Sequence, residues 1–200
     1  MKPIILASSS PRRAELLRKI GISFDVVEPN IDESLFTFGE NPTIVSEQLA
    51  LSKARSAAIK SGSTKMVLGA DTIVILGREV FRKPQNPKDA YSMLHKLIGQ
   101  SHMDLTGFAL LDTKTKRFMT GYEWTKVFMR DCSDKEIKEY VQTGESLDKA
   151  GAYSIQGLGA RFITRIEGCF YNVMGLPVTR ILIAIKDFDV LVKTQNQKDM

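Results

Sequence analysis

The apolar run Ile4-Ile5-Leu6-Ala7 stops abruptly at Ser8-Ser9-Ser10-Pro11, and apolar residues then recur at helical spacing as Ala14, Leu16, Leu17 and Ile20. This pattern predicts a strand over 3–7, a tight turn, and a helix over 11–20 with Ser10 as N-cap and Pro11 in the first turn. A short strand is expected near 23–27. Asn41-Pro42 opens a helix that runs to about Lys60 and closes at Gly62. The largely apolar run Met66–Leu76 reads as a buried strand, followed by a hairpin-like segment over Gly77–Phe81. Asn86-Pro87 caps a further helix to Ile98, closed by Gly99.

In the second half, two long strand patterns, 103–112 and 117–130, flank Thr113-Lys114-Thr115-Lys116 and predict an antiparallel hairpin. Ser133-Asp134-Lys135-Glu136 is a capping box for a helix over 134–142. Strand-like segments follow at Arg161–Ile166 and Cys169–Val173, then a helix from Pro177 to about Ile185. Residues 1–190 read as a single domain and 191–200 as a frayed tail. Helices interleaved with strands around a central hairpin predict a mixed α/β fold rather than a purely parallel sheet.

Composition narrows the function classes. Of 200 residues, 43% are hydrophobic and 26% charged, and the mean hydropathy is -0.12, as expected of a globular chain with a sizeable core. The net charge of +5 is scattered, without the basic run of a nucleic-acid tail, so an anionic small molecule is the better-matched partner. Two cysteines, Cys132 and Cys169, lack metal-ligand spacing and are expected to be buried thiols. No signal-like or membrane-spanning apolar stretch is apparent, and a cytoplasmic location is expected. With only His95 and His102 present, a histidine-rich metal site or a serine–histidine triad has little to draw on.

The candidate chemistry lies on turns and in one strand. A helix N-terminus after Ser8-Ser9-Ser10-Pro11, with Arg12 and Arg13 beside it, suits an anion through backbone N–H groups and two guanidinium forks. Asp71 interrupts an apolar strand, where an unpaired carboxylate costs several kcal/mol. A strand end at Asp71 is the alternative, against which the apolar residues on both sides speak. Lys83, held extended by Pro84, and Lys53, with apolar helical neighbours, are candidate cations. Arg55 has similar neighbours, and helical position does not choose between it and Lys53. Asp32-Glu33 read by themselves are solvated loop acids. Gln156, within Gly151–Ala160, offers two donors and one acceptor to a base edge. No dinucleotide fingerprint and no P-loop GxxxxGK[ST] is present.

These segments occur in a recognisable order: Ser8–Arg13, Asp32-Glu33, Leu51-Ser52-Lys53-Ala54, Gly69-Ala70-Asp71-Thr72, Lys83-Pro84, Thr106-Gly107, Asp148–Gly157 and Asn172-Val173-Met174-Gly175-Leu176-Pro177. From about residue 3 to 186 the chain closely resembles the Maf family of nucleoside triphosphate pyrophosphatases. The resemblance implies an inosine triphosphate pyrophosphatase-like fold, a mixed twisted sheet in two lobes around a central cleft, commonly assembled as a homodimer. It implies hydrolysis of a nucleoside triphosphate between its α and β phosphates. Asp71 then matches the proton acceptor, and Glu33 an acidic residue linked to metal or water. Arg12, Lys53 and Lys83 match phosphate-contacting cations, and Ser8 a polar residue of the phosphate turn. Glu33 and Asp71 are the expected ligands of a divalent cation, Mg2+ or Mn2+.

Arg13, Thr72 and Gln156 stand where subgroups of that family differ, and resemble the subgroup acting on dTTP and UTP. Modified pyrimidine nucleotides are a further candidate class, because a methyl group in an apolar pocket changes affinity by only about 1–3 kcal/mol. Neither a membrane nor a nucleic acid is an expected partner. A second reading is a nucleotide- or nucleic-acid-binding regulator of cell division or septum formation. Two residues depart from the family's habit: Arg82, where a glycine is frequent, and Asp104, where the residue is usually apolar.

Overall fold

The computed structural model describes residues 2–39 and 41–196. In chain order its elements are β1 (Ile4–Ala7), α1 (Pro11–Lys19), β2 (Phe24–Val26), α2 (Pro42–Ser61), β3 (Met66–Leu76), β4 (Glu79–Phe81) and α3 (Pro87–Leu97). There follow β5 (Ser101–Asp112), β6 (Phe118–Met129), α4 (Asp134–Gln142), β7 (Ile163–Glu167), α5 (Phe170–Val173) and α6 (Val178–Asn196). The strands form a seven-stranded mixed sheet in the order β2-β1-β3-β5-β6-β7, with β4 paired to β3. Strand β1 runs parallel to both β2 and β3, whereas β4 on β3 and β7 on β6 are antiparallel. The expected mixed α/β class is what the chain adopts.

Two compact units divide the chain: Met1–Asp71 with Thr106–Glu123 and Gly175–Met200, and Thr72–Leu105 with Trp124–Met174. In the first unit Ile5, Ala7, Ala54, Ala57, Val67 and Leu111 form a core cluster. Helix α2 lies unusually close to the sheet there. A Cβ at Gly69 would fall 2.1 Å from the Ala50 carbonyl oxygen, and one at Gly107 would fall 2.4 Å from the Ser46 carbonyl carbon. Such distances exclude a side chain, so these two glycines set the helix–sheet spacing. In the second unit a larger cluster gathers Val74, Phe81, Leu94, Val127, Ile137, Tyr140, Tyr153 and Phe162.

Several expectations need correcting. Ser10 occupies the N-cap position of α1, but its side chain makes no capping bond; the Ser10 N–H instead donates to Ser8 Oγ at 3.1 Å. Cys169–Val173 does not form a strand: Cys169 is the N-cap of the short helix α5, and a five-residue segment broken by Asn172 lacks the length to declare its period. Helix α6 continues past Ile185 to Asn196, because Ile181, Ile185 and the fully buried Phe188 extend the same apolar stripe. The expected tail from 191 therefore begins inside this helix, and 197–200 lie outside the described residues. Cys132 and Cys169 are free thiols and only half-buried, not buried. The caps at Asn41, Asn86 and Ser133 are as expected, the last a complete capping box with Glu136.

Candidate active site

Asp71 lies in the middle of β3 and is 6% exposed. Lys53, 7% exposed, points from α2 to the same place. Its Nζ donates to Asp71 Oδ1 at 2.6 Å and pairs with Glu33 Oε1 at 2.8 Å. The close seating of α2 over Gly69 makes this reach possible, since Lys53 stands between Ala50 and Ala54, whose backbones approach that glycine. Arg55 is exposed, its guanidinium 5.2 Å from the centre of the Phe118 ring. The choice that helical position left open thus falls to Lys53.

Glu33 opens a short 3-10 turn, Glu33–Leu35, which Asp32 caps through the Ser34 N–H at 2.9 Å. Asp32 is therefore a local structural acid, while Glu33 is drawn into the lysine pair. Asp71 Oδ2 is buried and has no hydrogen-bond partner among the described residues. A buried carboxylate oxygen without a partner is costly and unusual in a folded protein. One lysine is clamped by two carboxylates, and one carboxylate oxygen, Asp71 Oδ2, stays open. The same two acids fit a hard divalent cation of the magnesium type, which commonly takes one or two protein carboxylates and completes its shell with phosphate oxygens and water. No cluster of three or more metal-binding side chains exists among the described residues.

The turn after β1 is built around Ser8. Its Oγ accepts from the Ser10 N–H and from Arg13 Nη1 at 3.3 Å, and Arg13 Nε donates to the Gly175 carbonyl oxygen at 2.8 Å. Arg13 is 9% exposed. Burial pulls its guanidinium down from the ordinary arginine value, and the charges of Asp71 and Glu33 oppose that shift. Arg12 is half-buried at the start of α1. Ser8, Arg12, Arg13, Glu33, Lys53 and Asp71 thus all belong to the first unit.

Thr72, Lys83 and Gln156 belong to the second unit. Thr72 follows Asp71 in β3 and is half-buried, whereas Lys83 and Gln156 are exposed. The Gly151 N–H donates to the Arg82 carbonyl at 3.2 Å, which ties the Gln156 loop to the segment carrying Lys83. Two features escaped the sequence reading. The Arg13–Gly175 bond joins residues 162 positions apart and left no local signal. A buried cluster of His102, Asp104 and Tyr153 has no local signal beyond Asp104 standing where the resembled family is usually apolar.

The mixed α/β sheet thus carries a lysine held between two carboxylates and a serine turn anchored by a buried arginine. The chain belongs to the Maf-like proteins, whose family profile matches residues 3–188. It is 42% identical over 188 residues to the dTTP/UTP pyrophosphatase of Thermoanaerobacter sp. (strain X514), covering 94% of this chain and 97% of that one. Identity to the dTTP/UTP pyrophosphatase of Alkaliphilus oremlandii (strain OhILAs) is also 42%, over 95% and 98% of the two chains. Among solved structures, a HAM1 protein from Coxiella burnetii aligns with a TM-score of 0.46 and 18% identity, over 78% of this chain and 89% of that one.

Proposed function

We propose that this chain is a nucleoside triphosphate pyrophosphatase that hydrolyses dTTP and UTP to the nucleoside monophosphate and pyrophosphate. The observation that carries the reading is the open, buried Oδ2 of Asp71 beside an Oδ1 already held by Lys53. Asp71 accepts a proton from the attacking water. Arg12, Lys53 and Lys83 offset the charge that builds on the departing pyrophosphate, and Ser8 lies in the turn that receives the phosphates. Arg13, Thr72 and Gln156 face the choice of base, where the Gln156 amide matches both the donor and the acceptor edge of a uracil or thymine ring.

Asp71 and Glu33 would hold a magnesium or manganese ion, which would supply further positive charge for the phosphates. The names of the relatives at 42% identity support the pyrimidine assignment. The family resemblance supports a homodimer. Among the described residues no helix is long and apolar enough to cross a membrane.

The test is a panel of nucleoside triphosphates, incubated with the protein and either cation, with the phosphate products identified. Pyrophosphate released chiefly from dTTP and UTP is the expected result. Release from 7-methyl-GTP or from purine nucleotides overturns the pyrimidine assignment, and no release from any nucleotide overturns the enzymatic reading.

A further inference from the structure

Asp104 is the residue that the proposed reaction leaves unused, and its surroundings are specific. It is 2% exposed in β5. Both of its carboxyl oxygens lie within hydrogen-bond distance of the Tyr153 hydroxyl, at 3.1 and 3.0 Å, and that hydroxyl is also 2.9 Å from His102 Nε2. The backbone at Asp104 is itself fixed: its carbonyl accepts from Asn172 Nδ2 at 3.1 Å, and the same amide group donates to Thr125 Oγ1 at 3.0 Å. A buried acid is costly unless it is bonded to a polar group. Here the group it holds is the tyrosine hydroxyl.

Tyr153 is the upstream anchor of the segment that carries Gln156. Just before it, Gly151 and Ala152 adopt successive left-handed backbone conformations, φ 68° and 62°. Alanine rarely does so, and the surroundings must enforce it. Downstream, the Glu145 carboxylate accepts from the Leu158 and Gly159 N–H groups at 2.9 and 3.0 Å, and from the Tyr140 hydroxyl at 3.0 Å. Gln156 therefore projects from a short span pinned at both ends.

We propose that Asp104 is a positioning residue for substrate selection, acting through the Tyr153 hydroxyl to fix the span that presents Gln156. The role of Gln156 rests on the pyrophosphatase reading, but the anchoring itself does not. The titratable groups that face Asp104 are His102 from its own strand and Tyr153 from the loop, with Tyr140 of α4 behind Tyr153; Asn172 and Thr125 complete the polar surroundings. Burial pushes the Asp104 carboxyl up to about 8, so it enters neutral solution mostly as the uncharged acid and ionises above that.

The experiment compares the whole protein with Asp104→Leu, Tyr153→Phe and Asp104→Asn, by hydrogen exchange of a peptide covering 150–157 and by steady-state hydrolysis of dTTP and UTP across pH 7 to 9. Losing the hydroxyl's partner in Asp104→Leu, or the hydroxyl itself in Tyr153→Phe, is expected to speed exchange of that peptide about tenfold and to raise KM several-fold with kcat nearly unchanged. Asp104→Asn keeps an acceptor for the hydroxyl and is expected to rescue both. KM of the natural protein is expected to shift as pH passes about 8, and Asp104→Asn to lack that step. Unchanged exchange in both Asp104→Leu and Tyr153→Phe overturns the proposal. So does a lowered Tm with KM unmoved, because a purely structural role predicts that outcome. If the natural protein hydrolyses no nucleotide, the pyrophosphatase reading fails alone, and the exchange data still decide the anchoring.

Discussion

Lys53 Nζ and Asp71 Oδ1 meet at 2.6 Å, the lysine reaching from a helix and the aspartate lying in the middle of a buried strand. Both side chains are almost fully withdrawn from water, and the second carboxylate on the lysine, Glu33, is half-exposed. The lysine is thus the centre of the array, and the two acids depend on it unequally.

Removal of either member should therefore have different consequences. Asp71→Asn keeps an oxygen that accepts from Lys53, so the fold is expected to persist while turnover falls by about 10²–10⁴-fold with loss of the proton acceptor. Lys53→Met leaves a buried carboxylate without its cation and is expected to cost about 3–5 kcal/mol of stability. Urea denaturation alongside dTTP turnover checks both. Near-normal turnover of Asp71→Asn would remove Asp71 from the chemistry.

Arg13 supplies a second prediction. Its fork spans Ser8 Oγ and the Gly175 carbonyl, a geometry lysine does not reproduce. Arg13→Lys is expected to lose about 1–3 kcal/mol, because a single ammonium does not span both acceptors. It is also expected to lower kcat/KM for dTTP, since the serine turn loses its brace. A variant with wild-type stability and selectivity would show that the brace is dispensable.

The buried cluster predicts how stability changes with pH. Burial raises Asp104 to about 8 and lowers His102 to about 4. Between about pH 4 and the ordinary histidine value of 6.5, the unfolded pair holds its one proton on His102 and the folded pair holds one on Asp104, so their pH dependences cancel. From about 6.5 to 8 the folded chain alone keeps a proton, and stability falls by at most about 2 kcal/mol as pH rises. Above about 8 the contribution is flat. Denaturation midpoints at pH 6.5 and 8.5 test this, with Asp104→Asn expected to flatten the difference.

How far the sequence could be read depended on whether the determining interaction was local. Asp71 was visible because a charge in an apolar strand demands a partner, and the caps at Asn41, Asn86 and Ser133 were visible because they act over three residues. Lys53 and Arg55 were indistinguishable because both have apolar helical neighbours; the sheet beneath α2 settles which one faces inward. Cys169–Val173 has too few apolar residues for strand and helix periods to be told apart, and it folds as a short helix. Glu33 read by itself was a solvated acid, and only the fold brings the lysine to it.

Gly69 and Gly107 carry a lesson about mutational tolerance. Neither has a side chain that could touch a nucleotide, yet each admits no added atom between helix and sheet. A conservative-looking change to alanine at either position would push α2 outward and carry Lys53 away from Asp71. Among variants of this chain, the substitutions that silence the site most quietly are therefore expected at residues with no functional group to lose. A search for damaging variation guided only by charged or polar chemistry would pass over them.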